Sequence, residues 1–566
     1  MGYAVIMLLI VFLCHEVSSI SILPHKHQTI SLLKFKQSLS IHPSASHYCP
    51  KPYPKRSSWN TSRDCCSWDG VVCDDITGHV IELDLSCSYL TGTIDSNSSL
   101  FQLSHLQMLD LSSNNFSNSH ISPEFGKFSS LKHLDLSDSY FSGQIPSEIS
   151  HLSKLHSLRL SSIYDSYNLR LTTHDFKSLL QNLTQLRELD LSGINISSTI
   201  PLNFSSHLTT LSLIYTGLYG IIPESIFHLP NLEILDLDFN DERSGYFPKT
   251  KWNSSASLIE LDLAYCNLRG PIPESLSNLT RIEYLYLSHN SLNGTIPPGM
   301  LSLPSLKEIG LSFNHLSGPL EDFKSNSLIW IDLEGNQLQG HLPHSIQNLV
   351  NLTNLDLSFN NFSGRVDASL FSNLKQLQYL ILSYNNISFT NDNNVTLPES
   401  LYRLELAACE VKELEFLRSA KQLRWLDLSN NKIQGRIPDW AWSNWMSLSY
   451  TLNMSHNMLT SVESIPLQFV NTIDLRSNLL QGTTYALSGQ LDGEENNSEF
   501  LSDFRKAALM GYGSGLCIGI SIVYFMMSSG KPIWFARIIV ELEHKIMMRR
   551  RKKQRRQRNC RRRNNH

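Results

Sequence analysis

Three stretches of this chain, IEYLYLSHNSLNGTIP (282–297), LTNLDLSFNNFSGRV (352–366) and LRWLDLSNNKIQGRIP (423–438), align on one pattern, LxxLxLxxNxLxGxIP. About seventeen copies run from Val80 to Val470, mostly 22 to 26 residues apart. No single copy can bury its own apolar face, so copies must stack on one another and share a core. A fixed period of this length over some four hundred residues leaves little room for any other architecture.

The pattern is that of a leucine-rich repeat, and it predicts an α/β-type repeat solenoid, an arc with a parallel concave sheet. In each copy LxL alternates as a short strand, leucines inward and the intervening residues outward. The following Asn turns the chain and offers its amide to unpaired backbone groups of the neighbouring coil. Seventeen strands at ~4.8 Å make an arc of roughly 80 Å. Cys266 and Cys409 occupy the Asn position and are expected as buried thiols. Spacing grows to 31 between Leu155 and Leu186, which predicts that IYDSYNLRLTTHDF loops out of its coil, and Thr451 reads as a one-residue insertion.

A solenoid exposes its core at its ends and needs caps. Residues 22–78 read as the N-terminal cap: ISLLKFKQSL has helical spacing, and Cys49, Cys65, Cys66 and Cys73 cluster beside it. Four cysteines allow three connectivities; adjacent Cys65 and Cys66 would be strained as a mutual pair, which favours Cys49–Cys65 and Cys66–Cys73. The repeats then occupy 79–482.

The flanks place the body outside a membrane. Residues 1–21, with an apolar run from Tyr3 to Cys14 too short to span a bilayer, fit a secretory signal peptide. Residues 507–527 carry no charge, and 21 residues at ~1.5 Å each match a hydrocarbon core of ~30 Å, so this segment is expected as a single transmembrane helix. Residues 483–506 form an acidic juxtamembrane segment, and 528–566 a basic tail that the positive-inside rule assigns to the cytosol. That tail reads as anchoring on anionic membrane lipid rather than as nucleic-acid binding. Fifteen N-x-[ST] sequons (Asn60, Asn97, Asn115, Asn182, Asn195, Asn203, Asn253, Asn278, Asn293, Asn351, Asn361, Asn386, Asn394, Asn453, Asn496) precede the apolar span and none follows it, as glycosylation of an extracellular body requires. The predicted topology is single-pass type I at the plasma membrane.

The cap DCCSWDGVVCDDITGHVIELDLS and the GxIP form of the repeat resemble plant extracellular leucine-rich repeat receptors. MGYGSGLCIGISIVYFMMSSGKPIWFARIIVELEHK and SNSSLFQLSHLQMLDLSSNNFSNSHISPEFGKFSSLKHLDLSDS are similar, more specifically, to the Cf type of receptor-like protein from the tomato family. The resemblance implies a protein without a kinase that detects molecules of fungal pathogens outside the cell and triggers localised cell death. It also implies that an adaptor receptor-like kinase contacts the membrane helix, where Gly511, Gly515 and Gly519 form a stripe that lets another helix approach closely. This chain departs from the family pattern after Gly482, where the non-repeat island, the last repeats and a cysteine-containing C-terminal cap are expected to be missing.

Ligand contact is expected on the concave face, for an extracellular protein or peptide. One outward column reads Tyr284, Glu308, Trp330, Asn354, Tyr379, Arg403, Trp425; from it Tyr284, Trp330, Tyr379, Arg403 and Trp425 are the candidate binding residues, because Trp, Tyr and Arg dominate interface energetics. A second column, His289, Phe313, Gly335, Phe359 and Tyr384, precedes the ladder position and also suits the repeat itself. No nucleophile constellation, phosphate loop or metal cluster is found, and about forty residues after the membrane are too few for a kinase, so no catalytic residue, metal or cofactor is expected. An inhibitor of secreted wall-degrading enzymes, a developmental peptide receptor and a truncated decoy are the competing readings.

Overall fold

A computed structural model describes residues 26–480, apart from 48, 118, 163–168, 203, 242–244, 248–251, 253–256, 393–394 and 462–470. The chain divides into two units, Met1–Thr483 and Thr484–His566. Among the described residues no helix is long and apolar enough to cross a membrane. The expected signal peptide, acidic segment, membrane helix and basic tail lie outside the described residues.

Period-two alternation produces the strands. In Tyr284–Tyr286 the central Leu285 points inward, and it pairs directly with Leu261 on one side and Ile309 on the other, all fully buried. The same register continues from Val80–Asp84 to Thr472–Asp474, so seventeen described strands form one parallel sheet. Strand Val71–Cys73 pairs antiparallel with the first of them, and among the described residues Thr472–Asp474 pairs only with Thr451–Asn453. Among the described residues the sheet is therefore open, with two distinct ends.

The xLxGxI portion builds a second, six-stranded parallel ladder from Arg269–Pro271 to Asn386–Thr390. The proline of the motif then starts short 3-10 turns such as Glu274–Asn278, where Pro273 holds the extended conformation ahead of the first turn and Glu274 complements its N-terminus. Leu276, Leu279 and their counterparts seal the back of the core.

The Asn ladder closes the polar bookkeeping of each turn. Asn290 Nδ2 donates to Leu263 O (2.8 Å) and Leu287 O (3.0 Å), while its Oδ1 accepts from Cys266 N (3.1 Å) and Leu268 N (2.8 Å). Four backbone groups that would otherwise be buried unpaired are satisfied by one side chain. Cys266 and Cys409 are fully buried and donate through Sγ to Leu237 O (3.1 Å) and Leu382 O (3.4 Å). Burial pushes the Cys409 thiol up to about 12, so it stays protonated.

At the N-terminal end a helix over 26–38 packs Leu32 and Phe35 onto the first coil. Trp59 and Trp68 stack at 5.4 Å, and the nearly buried Lys55 pairs with Asp84 at 2.7 Å. The disulfides are Cys49–Cys87 and Cys66–Cys73. This corrects the expected Cys49–Cys65 pair and adds Cys87, which belongs to the first repeat. The reason is local: Tyr53 N donates to Cys87 O (3.2 Å), and His42 N to Tyr89 O (2.8 Å), so segment 42–53 is laid along the turn that carries Cys87, with Cα atoms 6.0 Å apart. Cys65 instead faces the core as a buried free thiol.

Two further expectations change. The loop expected over 163–176 has its residues 163–168 outside the described residues; the rest does not loop out, since Leu169–Arg170 is a short strand and 173–176 open the helix Thr173–Asn182, capped by the Thr172 hydroxyl, from which Phe176, Leu179 and Leu180 enter the core. Thr451 is no insertion: it pairs in register with Trp425, and helix Asp439–Asn444 with turn Trp445–Ser447 absorbs the extra length upstream.

Candidate functional site

Strand register places Tyr284, Glu308, Trp330, Asn354, Tyr379, Arg403 and Trp425 side by side on consecutive strands, one column on the outer sheet face. Trp330, Tyr379, Arg403 and Trp425 are half-buried, with part of each side chain open to solvent. Tyr284 corrects the expectation of a presented ring: it is 8% exposed, and the Lys307 ammonium, held by Glu283 at 2.7 Å, sits 6.0 Å from its centroid. Tyr286 is buried as well, at 7% exposed. Its ring lies 6.0 Å from Trp330, and both lean over Gly310, where an added Cβ would meet Trp330 at 3.1 Å and Tyr286 at 3.2 Å. The Tyr286 hydroxyl donates to the Glu308 carboxylate.

Arg403 lies flat on Trp425, 4.6 Å from ring centre to guanidinium carbon, while its Nε donates to Glu405 (2.6 Å). A guanidinium held by both a ring and a carboxylate is preorganised, so less entropy is lost when a partner docks on it.

A column of carboxylates, from the Asp of LDLS, adjoins this one. Asp84, Asp110 and Asp135 each accept through Oδ1 from the N–H two residues on, at Ser86, Ser112 and Ser137, and thereby close the strand end. Asp84, bonded to Lys55 and Ser86, is held below the ordinary carboxylate range despite its burial, whereas burial raises the proton affinity of Asp110. Burial and the charge of Asp110 push Asp135 up to about 7, although Arg159 approaches it at 3.3 Å. Farther on, Asp332, Glu334 and Asp356 bring carboxylate oxygens within 4.8 Å of one another. Burial, then Asp356 and Asp332, raise Glu334 to about 8; burial, then Asp332, raises Asp356 to about 6. Such a trio could bridge a divalent cation, yet Asp332 and Asp356 already each accept a backbone N–H. The Cys65, Cys66 and Cys73 sulfurs are also close, but two of them form a disulfide. This acidic column is absent from the sequence reading, although the recurring D of LxLDLS signals it.

The second column has a backbone reason. His289, Phe313, Gly335, Phe359 and Tyr384 all have positive φ (52 to 66°), as do Tyr215, Phe239 and Tyr265. The left-handed conformation turns each N–H toward the next coil: Phe313 N donates to Glu334 O (2.8 Å) and Gly335 N to Ser358 O (3.0 Å). The side chains stack as a stair. Phe239–Tyr265, Tyr265–His289 and His289–Phe313 are 4.2, 4.1 and 4.4 Å apart, and Phe359–Tyr384 are 4.7 Å apart. Phe313 and Phe359 remain 44% and 51% exposed.

Of the sequon asparagines, Asn60, Asn97, Asn182, Asn278, Asn293, Asn351, Asn361 and Asn386 are exposed, and Asn115, Asn195 and Asn453 half-buried. Asn203, Asn253, Asn394 and Asn496 lie outside the described residues, as do Gly511, Gly515 and Gly519.

Against known proteins, residues 25–74 match the leucine rich repeat N-terminal domain family, and 256–316 match a leucine rich repeat family. Residues 105–128, 130–152, 185–206, 327–349, 351–374 and 422–444 match single leucine rich repeats. Receptor-like protein 9DC1 of Solanum pimpinellifolium is 55% identical over 262 residues, 44% of this chain and 30% of that protein. Receptor-like protein Cf-9 of the same species is 54% identical over 263 residues, again 44% and 30%. Receptor-like protein 7 of Arabidopsis thaliana is 34% identical over 576 residues, 86% of this chain and 58% of that one. The chain thus spans under a third of the length of the first two relatives. Among solved structures, the ectodomain of the plant membrane receptor kinase GASSHO1/SCHENGEN3 from Arabidopsis thaliana, in complex with CASPARIAN STRIP INTEGRITY FACTOR 2, superposes with a TM-score of 0.55 at 26% identity, covering 79% of this chain and 61% of that one. A TDR receptor superposes with a TM-score of 0.53 at 28% identity, covering 73% and 66%.

Proposed function

Since the chain belongs to the plant leucine-rich repeat receptor-like proteins of the Cf type, we propose that it is a cell-surface receptor that binds an extracellular protein or peptide in defence against fungal pathogens. It would reach the surface through the signal peptide at 1–21, be held by the helix at 507–527, and signal through a partner receptor kinase docked on Gly511, Gly515 and Gly519. The basic tail would rest on anionic lipid. No chemistry of its own is assigned to it.

One observation carries the reading: Trp330, Tyr379, Arg403 and Trp425 are aligned in one column on an open sheet face, and Arg403 is already fixed on Trp425 and Glu405. Rigid aromatics and a preorganised Arg are the side chains that anchor partners with least loss of entropy.

The test is expression of the full chain in leaf cells challenged with secreted fungal proteins. Binding at the cell surface and localised cell death are expected for a cognate protein, and Trp330→Ala or Arg403→Ala should weaken binding by about tenfold or more, as loss of an anchor does. Protease added to intact cells should degrade the repeat body. Survival of that body, or unchanged binding in both variants, would defeat the proposal.

A further inference from the structure

The aromatic stair has one missing step. From Tyr215 to Tyr384 each left-handed residue that immediately precedes a ladder position carries a ring, except Gly335. Rungs on adjacent coils stand 4.1 to 4.7 Å apart, so Phe313 and Phe359, two coils apart, are separated by about twice a strand spacing of ~4.8 Å. One face of Phe313 is covered by His289 and one face of Phe359 by Tyr384, leaving their other faces toward the gap. Glycine backbone is the floor, and Phe313 already leans against it, since a Cβ on Gly335 would be 2.9 Å from its Cδ1.

Beside the gap stands a cluster of acidic side chains. Glu334 immediately precedes Gly335, and its carboxylate lies within 4.8 Å of Asp332 and Asp356. Among the described residues no Lys or Arg forms an ion pair with Glu334 or Asp356; the nearby Arg403 is committed to Glu405. Burial first, and then this crowding of like charge, raises the proton affinity of both groups.

We infer that the vacated rung at Gly335 is a seat for a guanidinium group, the arginine side chain of an extracellular protein or peptide, stacked between Phe313 and Phe359 with its N–H edge on the Glu334 carboxylate. Each property of the site selects this occupant. A slot one rung wide takes only a planar group. The acidic trio takes only a cation. A guanidinium is both, and it pairs with a carboxylate while stacked on a ring. A lysine ammonium neutralises the acids without filling the stack, and a neutral ring fills the stack without neutralising the acids. The inference rests on the reading of this chain as an extracellular binding scaffold and names the chemistry of one contact within it.

The test uses the full chain in detergent and a capped pentapeptide, Gly-Gly-Arg-Gly-Gly, with lysine, citrulline and phenylalanine versions, titrated by saturation-transfer NMR. The arginine peptide is expected to bind with the strongest transfer to its side chain. Gly335→Phe, which supplies the missing ring at a φ that Phe313 and Phe359 already adopt once the Phe313 ring shifts off the added Cβ, and Glu334→Gln, which removes the ionisable carboxylate, should each weaken it about tenfold. Thermal melting of both variants checks that they fold. Equal binding of the citrulline or phenylalanine peptide, or wild-type affinity in Gly335→Phe, would overturn the assignment. Failure of the arginine peptide while a fungal protein still binds through Trp330 and Arg403 would remove the seat and leave the receptor reading standing.

Discussion

Cys87 does at residue scale what no count of cap cysteines reveals. It lies in the turn of the first repeat with φ of 52°, its N–H donating to Ser112 O (3.0 Å), and its sulfur is bound to Cys49 across 38 residues. Closing a loop of that length removes about 4 kcal/mol of unfolded-chain entropy in the usual estimate. Cys87→Ala should therefore lower stability by about 2–4 kcal/mol and loosen the cap from the first coil, whereas Cys65→Ala, which breaks no bridge, should cost only the smaller loss of a buried thiol. Peptide mapping without reduction should recover the Cys49–Cys87 and Cys66–Cys73 cross-links; a Cys49–Cys65 cross-link would contradict the structure. Geometry along the sequence rules out only the vicinal pair. Which distant thiol meets Cys49 depends on backbone hydrogen bonds between segment 42–53 and the first repeat, and those form only once the repeat has folded.

At the scale of the element, strand alternation and a constant period make the outward columns legible in the sequence, and the parallel register keeps them intact. What the columns do to one another was not readable. Tyr284 is covered by Lys307 because Glu283 draws that ammonium in, and the same alignment that groups rings also groups carboxylates. Glu334 faces Asp332 and Asp356 on its own and the next strand, with Glu405 and Arg403 farther along. Its folded proton affinity lies at about 8 against an ordinary 4.5, so between these values the native state holds a proton that the unfolded chain has released. Stability therefore falls as pH rises from 4.5 to 8, and is free of this cost below that window. Asp356, raised to about 6, and Asp135, raised to about 7, act in the same direction over the lower part of the range. The melting temperature should drop between pH 5 and pH 8, and Glu334→Gln should recover on the order of 1 °C at pH 8 while changing little at pH 5. A Glu334→Gln melt that tracks the parent at both pH values would mean that the carboxylates are relieved by solvent.

Across the whole repeat unit, each coil touches only its neighbours, so stability is a sum of coil and interface terms and the two ends decide where opening begins. The N-terminal end is closed by the antiparallel strand Val71–Cys73, two disulfides and the Trp59–Trp68 stack. The other described end is unlike it. Among the described residues, strand Thr472–Asp474 has a partner on one side only, Ile473 and Leu475 are half-buried where the equivalent Leu285 and Leu287 are fully buried, and Leu479 and Leu480 are 58% and 43% exposed. A last coil that buries less apolar area gains less from it, at ~25 cal/mol per Å², and should open first. Amide hydrogen exchange on the full chain should thus be slowest in the strands between Val80 and Trp425, with protection stepping down through Thr451–Asn453 to Thr472–Asp474, each step being one lost interface. Adding denaturant well below the main transition should melt that end while leaving the disulfide-closed end protected. Uniform protection from Val80 to Asp474 would mean instead that the final strand has a cover of its own and that the seventeen coils unfold as one cooperative block.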